Sequence, residues 1–464
     1  MSNFEQYMSP FSWRYASVEM RSIWSEKNKR RMWRSIWVSL AEVEAKFGLV
    51  TQDQLEDLQL HKDEIDIQRA LEIEQVIKHD LMSEVKTFAE KCPVGGGIIH
   101  LGATSMDIED NADALRLANS MDLILQKSKA LLLVLASKIE LWSHLPVMAF
   151  THIQPAEPTT LGYRFSMYAQ DLLQDYKDLY RIRCEIKGKG FKGAVGTAAS
   201  YIELLGYENY IQFESELSKK LDLNFFPVTT QTYPRKQDFL IMCGLSGLAA
   251  TLYKLAFDIR ILQSAPLGEV GEPFGAHQVG SSAMPFKRNP IVSEKIDSLA
   301  RLISQMPNIA WNNAAHSILE RTLDDSANRR SILPESFLIC DELLISARKI
   351  CEGLDVNLET IERNMRQYAP FAATERLMMA LVKAGANRQN MHEKIREHSM
   401  QAWTAVQSGT ANPLLNLMIT DNEFLAYLTS NEIEESMSVT GYTGIAEDRA
   451  QELANTIREF FSNK

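Results

Sequence analysis

The stretch Gly280-Ser-Ser-Ala-Met-Pro-Phe-Lys-Arg-Asn-Pro290 places two hydroxyls, a lysine, an arginine and an asparagine between a glycine and a proline. No apolar core needs that mixture. It follows Gly268, Gly271 and Gly275, and glycine lets a backbone move and come close to a ligand. Pro285 and Pro290 interrupt regular hydrogen bonding and hold the segment as a loop. A mobile loop that carries a nucleophile or base together with a cation is suited to act as the lid of an active site.

Other stretches carry candidate chemistry. In Phe150-Thr-His-Ile-Gln-Pro-Ala156, His152 falls in a connection and not on a periodic apolar face, and an imidazole gives up a proton readily near neutral pH. In Lys78-His79-Asp80 the His and Asp could equally be a satisfied hydrogen-bonded pair. Gly95-Gly-Gly-Ile-Ile-His-Leu-Gly-Ala-Thr-Ser105 is glycine-rich, but it lacks the Gly-Lys-Ser/Thr of a P-loop and the strand–turn–helix context of a dinucleotide fingerprint. Glu320-Arg-Thr-Leu-Asp-Asp-Ser-Ala-Asn-Arg-Arg330 is dense in charges of both signs, which a solvated helix face also shows. Arg14 and Tyr15 are unremarkable by themselves.

The elements that must position these residues read as helices. Trp33, Ile36, Trp37, Leu40, Val43 and Glu44 recur at helix spacing, so Lys27 to Phe47 should present an apolar stripe flanked by charge. Asp107 and Asn111 look like the entry to a long helix. Stretches 110–143, 159–187, 236–263 and 291–315 are long and helix-periodic, and helices of that length bury their apolar faces against one another in an extended bundle. Residues 239–250 are apolar nearly all round, which suits a helix surrounded by others, including those of other subunits. Shorter helices separated by Gly385, Pro413 and Gly441 follow. The expected architecture is all-α in three helical domains, 1–109, 110–353 and 354–464, with a long central bundle.

Composition narrows the function. The 464 residues carry 49 basic and 60 acidic side chains, a net charge of -11, which argues against a nucleic-acid surface while leaving room for a local basic pocket. Five scattered cysteines suggest neither a zinc site nor a disulfide framework. No signal peptide is visible, and the most apolar run, Leu131 to Ala136, is far short of the roughly 20 residues that span a bilayer, so a cytoplasmic location is expected.

The loop at 280–290 resembles the signature of the fumarase/aspartase superfamily, Gly-Ser-Ser-x-Met-Pro-x-Lys-x-Asn-Pro, at every fixed position. Its variable residues Ala283, Phe286 and Arg288, and above all the run 320–330, are similar to those of the adenylosuccinate lyase family. Thr-His-x-Gln-Pro-Ala, Gln231-Thr-Tyr-x-Arg-Lys236, the Thr104-Ser105 element and the His-Asp pair also match, in family order. Pro234 stands where Ser is commoner in the family, and Lys78 and Lys295 stand where animal-type members carry Arg. A lysine at 78 keeps the charge and loses the bidentate fork. Lys187-Gly-Lys-Gly-Phe-Lys-Gly-Ala-Val-Gly-Thr197, which could pass for a phosphate cradle, becomes by the same resemblance a tight turn beside the active site.

The resemblance implies a homotetramer with each active site built from three subunits, and elimination of fumarate from adenylosuccinate, giving AMP, and from SAICAR, giving AICAR. By correspondence Ser281 is the base, His152 the acid supported by His79, and Lys287 and Asn289 stabilise the developing charge. Thr104 and Ser105 hold a substrate carboxylate and Gln231 the succinyl group. Arg14 and Tyr15 are nucleotide ligands, and Arg321, Ser326 and Arg330 bind phosphate or carboxylate. Lys78, Asp80 and Thr151 complete the implied substrate contacts, with no metal and no organic cofactor. The alternatives are another lyase of the superfamily, such as argininosuccinate lyase, and a non-enzymatic helical scaffold. The first has little use for Arg14, Arg321 and Arg330 together; the second predicts loss of Ser281, Lys287 or His152, all of which are present.

Overall fold

A computed structural model describes residues 5–462, and nearly all regular structure among them is helical. The chain forms two compact units. Unit one comprises the N-terminal residues to Ser128, Gln174–Leu252 and Ser298–Ile345; unit two comprises Lys129–Leu173, Tyr253–Asp297 and the residues from Ser346 onward.

In unit one the helix Glu26–Lys46 supplies the expected stripe. Trp33, Ile36, Trp37, Leu40 and Val43 are buried, in one cluster with Leu81, Val85 and Phe88 of the helix Asp80–Ala89 and with Phe191, Tyr201 and Phe213. Part of the charged flank is buried as well: Arg30, Arg34 and Glu44. Arg30 and Arg34 both reach Glu84, at 2.8 and 2.6 Å, so three ionised groups share one solvent-free site. Glu44 is buried among the apolar residues, and its Oε1 has no hydrogen-bond partner. Burial pushes its carboxyl up to about 8, so near neutral pH it is protonated.

The helix Ser105–Leu141 starts where Asp107 and Asn111 mark its entry. The helices Leu161–Glu185 and Lys236–Leu262 fall close to their expected ranges. Gly244 explains how two of them approach: a Cβ there would lie 2.7 Å from Ile182 and 3.0 Å from Leu179. On Lys236–Leu262, Ile241, Met242, Leu245, Leu248, Ala249 and Leu252 are buried, while Leu240, Cys243, Gly247, Ala250, Lys254 and Phe257 are exposed at steps of three and four. This is the one helix among the described residues long and apolar enough to cross a membrane, and the burial of its other face is that of a core helix.

One expectation fails in part. The stretch 291–315 is two helices, Ile291–Ile303 and Met306–Ala315, because Pro307 has no N–H to donate to a carbonyl one turn back and sits instead in the first turn of the second helix. A further helix, Ser326–Glu352, runs without a break through Pro334.

Unit two holds the strand structure. Strands β1 (Pro146–Thr151) and β2 (Gln154–Thr160) pair antiparallel with Thr151 opposite Gln154, and Val270–Gly271 pairs with Asp355–Val356. A separate core of Leu377, Leu381, Met391, Leu414, Met418, Phe424 and Ile433 joins the short C-terminal helices.

Candidate active site

Unit one contains a cavity of about 210 Å³ that gathers Asp80, Arg321, Ser326 and Arg330, four of the residues singled out in the sequence, and adds Lys29 and Glu109. Its floor is a buried ionic lattice. Arg329 donates to Asp238 at 2.8 Å and to the Tyr233 hydroxyl at 2.7 Å, and that hydroxyl donates to Asp238 at 2.7 Å. Arg235 donates to Asp110 at 3.0 Å and to Asp325 at 2.7 Å. Arg321 reaches the other oxygen of Asp325 at 2.9 Å. At the rim Arg330, 61% exposed, donates to Asp80 at 2.6 Å. Burial by itself raises the Asp80 carboxyl, but Arg330, the Leu81 N–H and Lys29 outweigh it and hold Asp80 below the usual range. The density of charge in 320–330 is therefore partly structural, with Asp325 and Arg329, two of its six charged residues, as the buried members.

His79 is exposed and caps the helix Asp80–Ala89: its Nδ1 accepts from the Met82 N–H at 3.4 Å. In the neutral ring that leaves the proton on Nε2. Lys78, also exposed, ends the preceding helix in a left-handed conformation, φ 56°. Arg14 is exposed with its guanidinium 5.7 Å from the Trp13 ring and 6.0 Å from the Tyr15 ring. Neither Arg14 nor Tyr15 lines the cavity. The Gln231 N–H donates to the Glu320 carbonyl at 3.1 Å, which ties two of the candidate stretches together.

The Thr104 backbone is set by one carboxylate. Asp107 accepts from the Thr104 N–H at 2.9 Å, from the Lys192 and Gly193 N–H groups, and from the buried ammonium of Lys189. Lys192 pairs with Glu214. The glycine-rich 187–197 segment is accordingly a latch, its Lys189 and Lys192 consumed in buried pairs and directed at no ligand.

In unit two, His152 and Ile153 form the two-residue loop of the β1–β2 hairpin, with φ of 53° and 59°. Positive φ at both positions is the pattern of a type I′ turn, normally served by Asn-Gly. A β-branched residue there is strained. Thr151, His152 and Ile153 are all exposed at the tip.

The 280–290 loop closes on itself. Asn289 Nδ2 donates to the Gly280 carbonyl at 3.1 Å, and a Cβ on Gly280 would lie 2.1 Å from the Lys287 carbonyl oxygen, so only glycine fits the crossing. Gln263 holds the base of the loop by donating to the Arg288 carbonyl and accepting from the Glu272 N–H, both at 2.9 Å. Inside the loop Ser281 Oγ accepts from the Met284 N–H at 3.1 Å and the Ala283 N–H at 3.3 Å. Two N–H dipoles aimed at one oxygen favour its ionised form. Lys287 is exposed on the same loop.

Residues 16–304 match a family described as Lyase, and residues 370–453 match the adenylosuccinate lyase C-terminus. The adenylosuccinate lyase of Schistosoma mansoni is 41% identical, over 91% of this chain and 89% of that protein. That of Saccharomyces cerevisiae is also 41% identical over the same shares, and that of the archaeon Pyrococcus horikoshii is 34% identical over 97% and 98%. The chain belongs to the adenylosuccinate lyase family. Its fold is that of the wider superfamily: the 3-carboxy-cis,cis-muconate lactonizing enzyme of Pseudomonas putida superposes with a TM-score of 0.86 at 22% identity, covering 97% of this chain and 99% of the other. A fumarate lyase from Mesorhizobium sp. BNC1 gives 0.83 at 23% identity, covering 97% and 99%.

Sequence reasoning missed Lys29, Glu109 and the organising role of Asp107. Lys29 and Glu109 lie on long helices where charge is ordinary, and no local signal sets them apart. Asp107 did carry one, an acidic residue three places after a hydroxyl at a helix start, but its partners at 189–193 are remote in sequence.

Proposed function

We propose that the protein removes fumarate from adenylosuccinate to give AMP, and from SAICAR to give AICAR. In this reading Ser281 takes a proton from the carbon beside the leaving nitrogen's carbon, the carbon–nitrogen bond breaks as the carbon–carbon double bond forms, and His152 supplies a proton to the departing nitrogen. The observation that carries the chemistry is the environment of Ser281 Oγ, which accepts two backbone N–H groups within a loop that also bears Lys287 and Asn289. A serine hydroxyl is a weak base unless its alkoxide is stabilised, and this is such a stabilisation. Charge on the carbanion's carboxylate is the largest demand, and it falls to Lys287 and Asn289. The cavity with Arg321, Ser326 and Arg330 suits a phosphate, for which arginine's planar donors are fitted. Thr104, Ser105 and Gln231 take the succinyl carboxylates, and Arg14, Tyr15, Lys78, Asp80 and Thr151 the remaining contacts, with His79 beside the acid. The elimination needs no metal or organic cofactor.

The reading includes a homotetramer in the cytoplasm, with active sites assembled from several copies of the chain and with the domain divisions near residues 110 and 354. In its support, the outward stripe Leu240, Cys243, Gly247 and Ala250 is apolar and narrow enough for close helix approach. The test is fumarate release from adenylosuccinate with argininosuccinate in parallel. Fumarate from adenylosuccinate alone is expected. Fumarate from argininosuccinate alone would overturn the phosphate assignment, and none from either would overturn the enzymatic reading.

A further inference from the structure

Glu109 has no place in the chemistry above, yet its side chain lines the same cavity as Arg321, Ser326 and Arg330. Among the described residues it has no hydrogen-bond or ion-pair partner, although it is partly buried and set in dense charge. Its surroundings are acidic on two sides. Asp80 faces it from the start of the helix Asp80–Ala89, and Asp110 and Asp113 flank it on its own helix. The cations nearby are already engaged: Arg330 with Asp80, Arg321 with Asp325, Arg235 with Asp110, Arg329 with Asp238, Arg116 with Asp113 and Lys29 with Glu26. Burial above all, then Asp80, Asp113 and Asp110, raise the Glu109 carboxyl to about 8 against the opposing pull of Arg330. At neutral pH it is a neutral acid with a proton to donate and no protein acceptor taking it.

Resting on the functional reading above, we infer that Glu109 donates a hydrogen bond from its protonated carboxyl to the phosphate held by Arg321, Ser326 and Arg330, so that nucleotide affinity depends on that proton. A neutral carboxylic acid satisfies an anion's oxygen; the carboxylate left after deprotonation repels it. The sign follows directly. Binding is strongest below the titration of Glu109 and weakens as pH rises through it.

The experiment is AMP binding by calorimetry at pH 7 and pH 9, on the full-length wild type, Glu109→Gln and Glu109→Ala, with thermal melts to confirm folding. In the wild type Kd should rise about tenfold between the two pH values, the ratio of protonated fractions of a group titrating near 8. Glu109→Gln keeps a donor that cannot ionise, so its ratio should fall to about one. Glu109→Ala should bind AMP about tenfold more weakly than wild type at pH 7, with no pH step. If the Gln variant titrates like the wild type, or the Ala variant matches wild-type affinity at pH 7, the inference is overturned while the functional reading stands. A wild type that neither binds AMP at pH 7 nor turns over adenylosuccinate overturns both.

Discussion

The two groups of candidate residues are built in opposite ways. In unit one the cavity arginines are held before any ligand arrives: Arg321 by Asp325, Arg330 by Asp80, and beneath them Arg329 and Arg235 in a lattice of buried carboxylates. In unit two His152 stands exposed on a hairpin tip and Lys287 on an open loop, and among the described residues neither side chain has a hydrogen-bond or ion-pair partner. What is fixed there is the backbone, by the hairpin ladder under His152 and by Gln263, Glu272 and the Gly280–Asn289 crossing under Ser281 and Lys287. Recognition of a constant anionic group gains from donors already in place, because less ordering is left to the binding step. Groups that must exchange protons and then release products gain from a firm backbone and an unpaired side chain.

That contrast yields predictions in descending size. Lys287→Met removes a charge that this account uses only in the transition state, so kcat should fall by about 10³ or more with AMP affinity little changed, checked by turnover and calorimetry. His152→Gln should lower kcat by about 10² or more, the usual scale for a lost acid catalyst, measured as initial rates of fumarate release. Arg329→Met leaves Asp238 buried without its cation and should cost about 3–5 kcal/mol in a denaturant titration. The matching change in unit two, at any exposed residue of the 281–288 tip, should leave stability nearly unaltered.

Smaller effects sharpen the picture. Glu44 titrates near 8 in the folded protein, well above its ordinary value, so the folded state holds the proton more tightly and wild-type stability falls as pH rises from about 4.5 through 8. Glu44→Gln abolishes that loss. It should raise stability by about 2 kcal/mol or more at pH 8.5 and much less at pH 5, read from melts at the two pH values. Ile153→Asn, which tolerates positive φ, should stabilise by about 1 kcal/mol, seen as a higher denaturant midpoint.

The sequence reading and the structure agree most where local pattern is strong and part where contacts are remote. The stripe from Trp33 to Val43, the entry at Asp107 and Asn111 and the long helices are legible because helical periodicity spans many turns. In the sequence the hairpin shows only as a connection. His-Ile carries none of the Asn-Gly chemistry that announces a type I′ turn, and the surrounding ladder, not local preference, forces both residues to positive φ. The break before Met306 is masked in the sequence, although Pro307 announces it, because the apolar period continues across it. At 320–330 the charge pattern pointed to the site but could not separate Arg321 and Arg330, which line the cavity and its rim, from Asp325, which supports them. That division depends on Arg235 and Asp80, some 90 and 250 residues away.

On the functional reading above, binding and proton transfer rest on separate parts of the chain. Ser281→Ala tests this separation most directly when AMP affinity and turnover of adenylosuccinate are measured on one folded preparation. The account predicts wild-type AMP affinity with turnover reduced by about 10³ or more. Turnover near the wild-type rate, or a loss of AMP binding in parallel with activity, would contradict it.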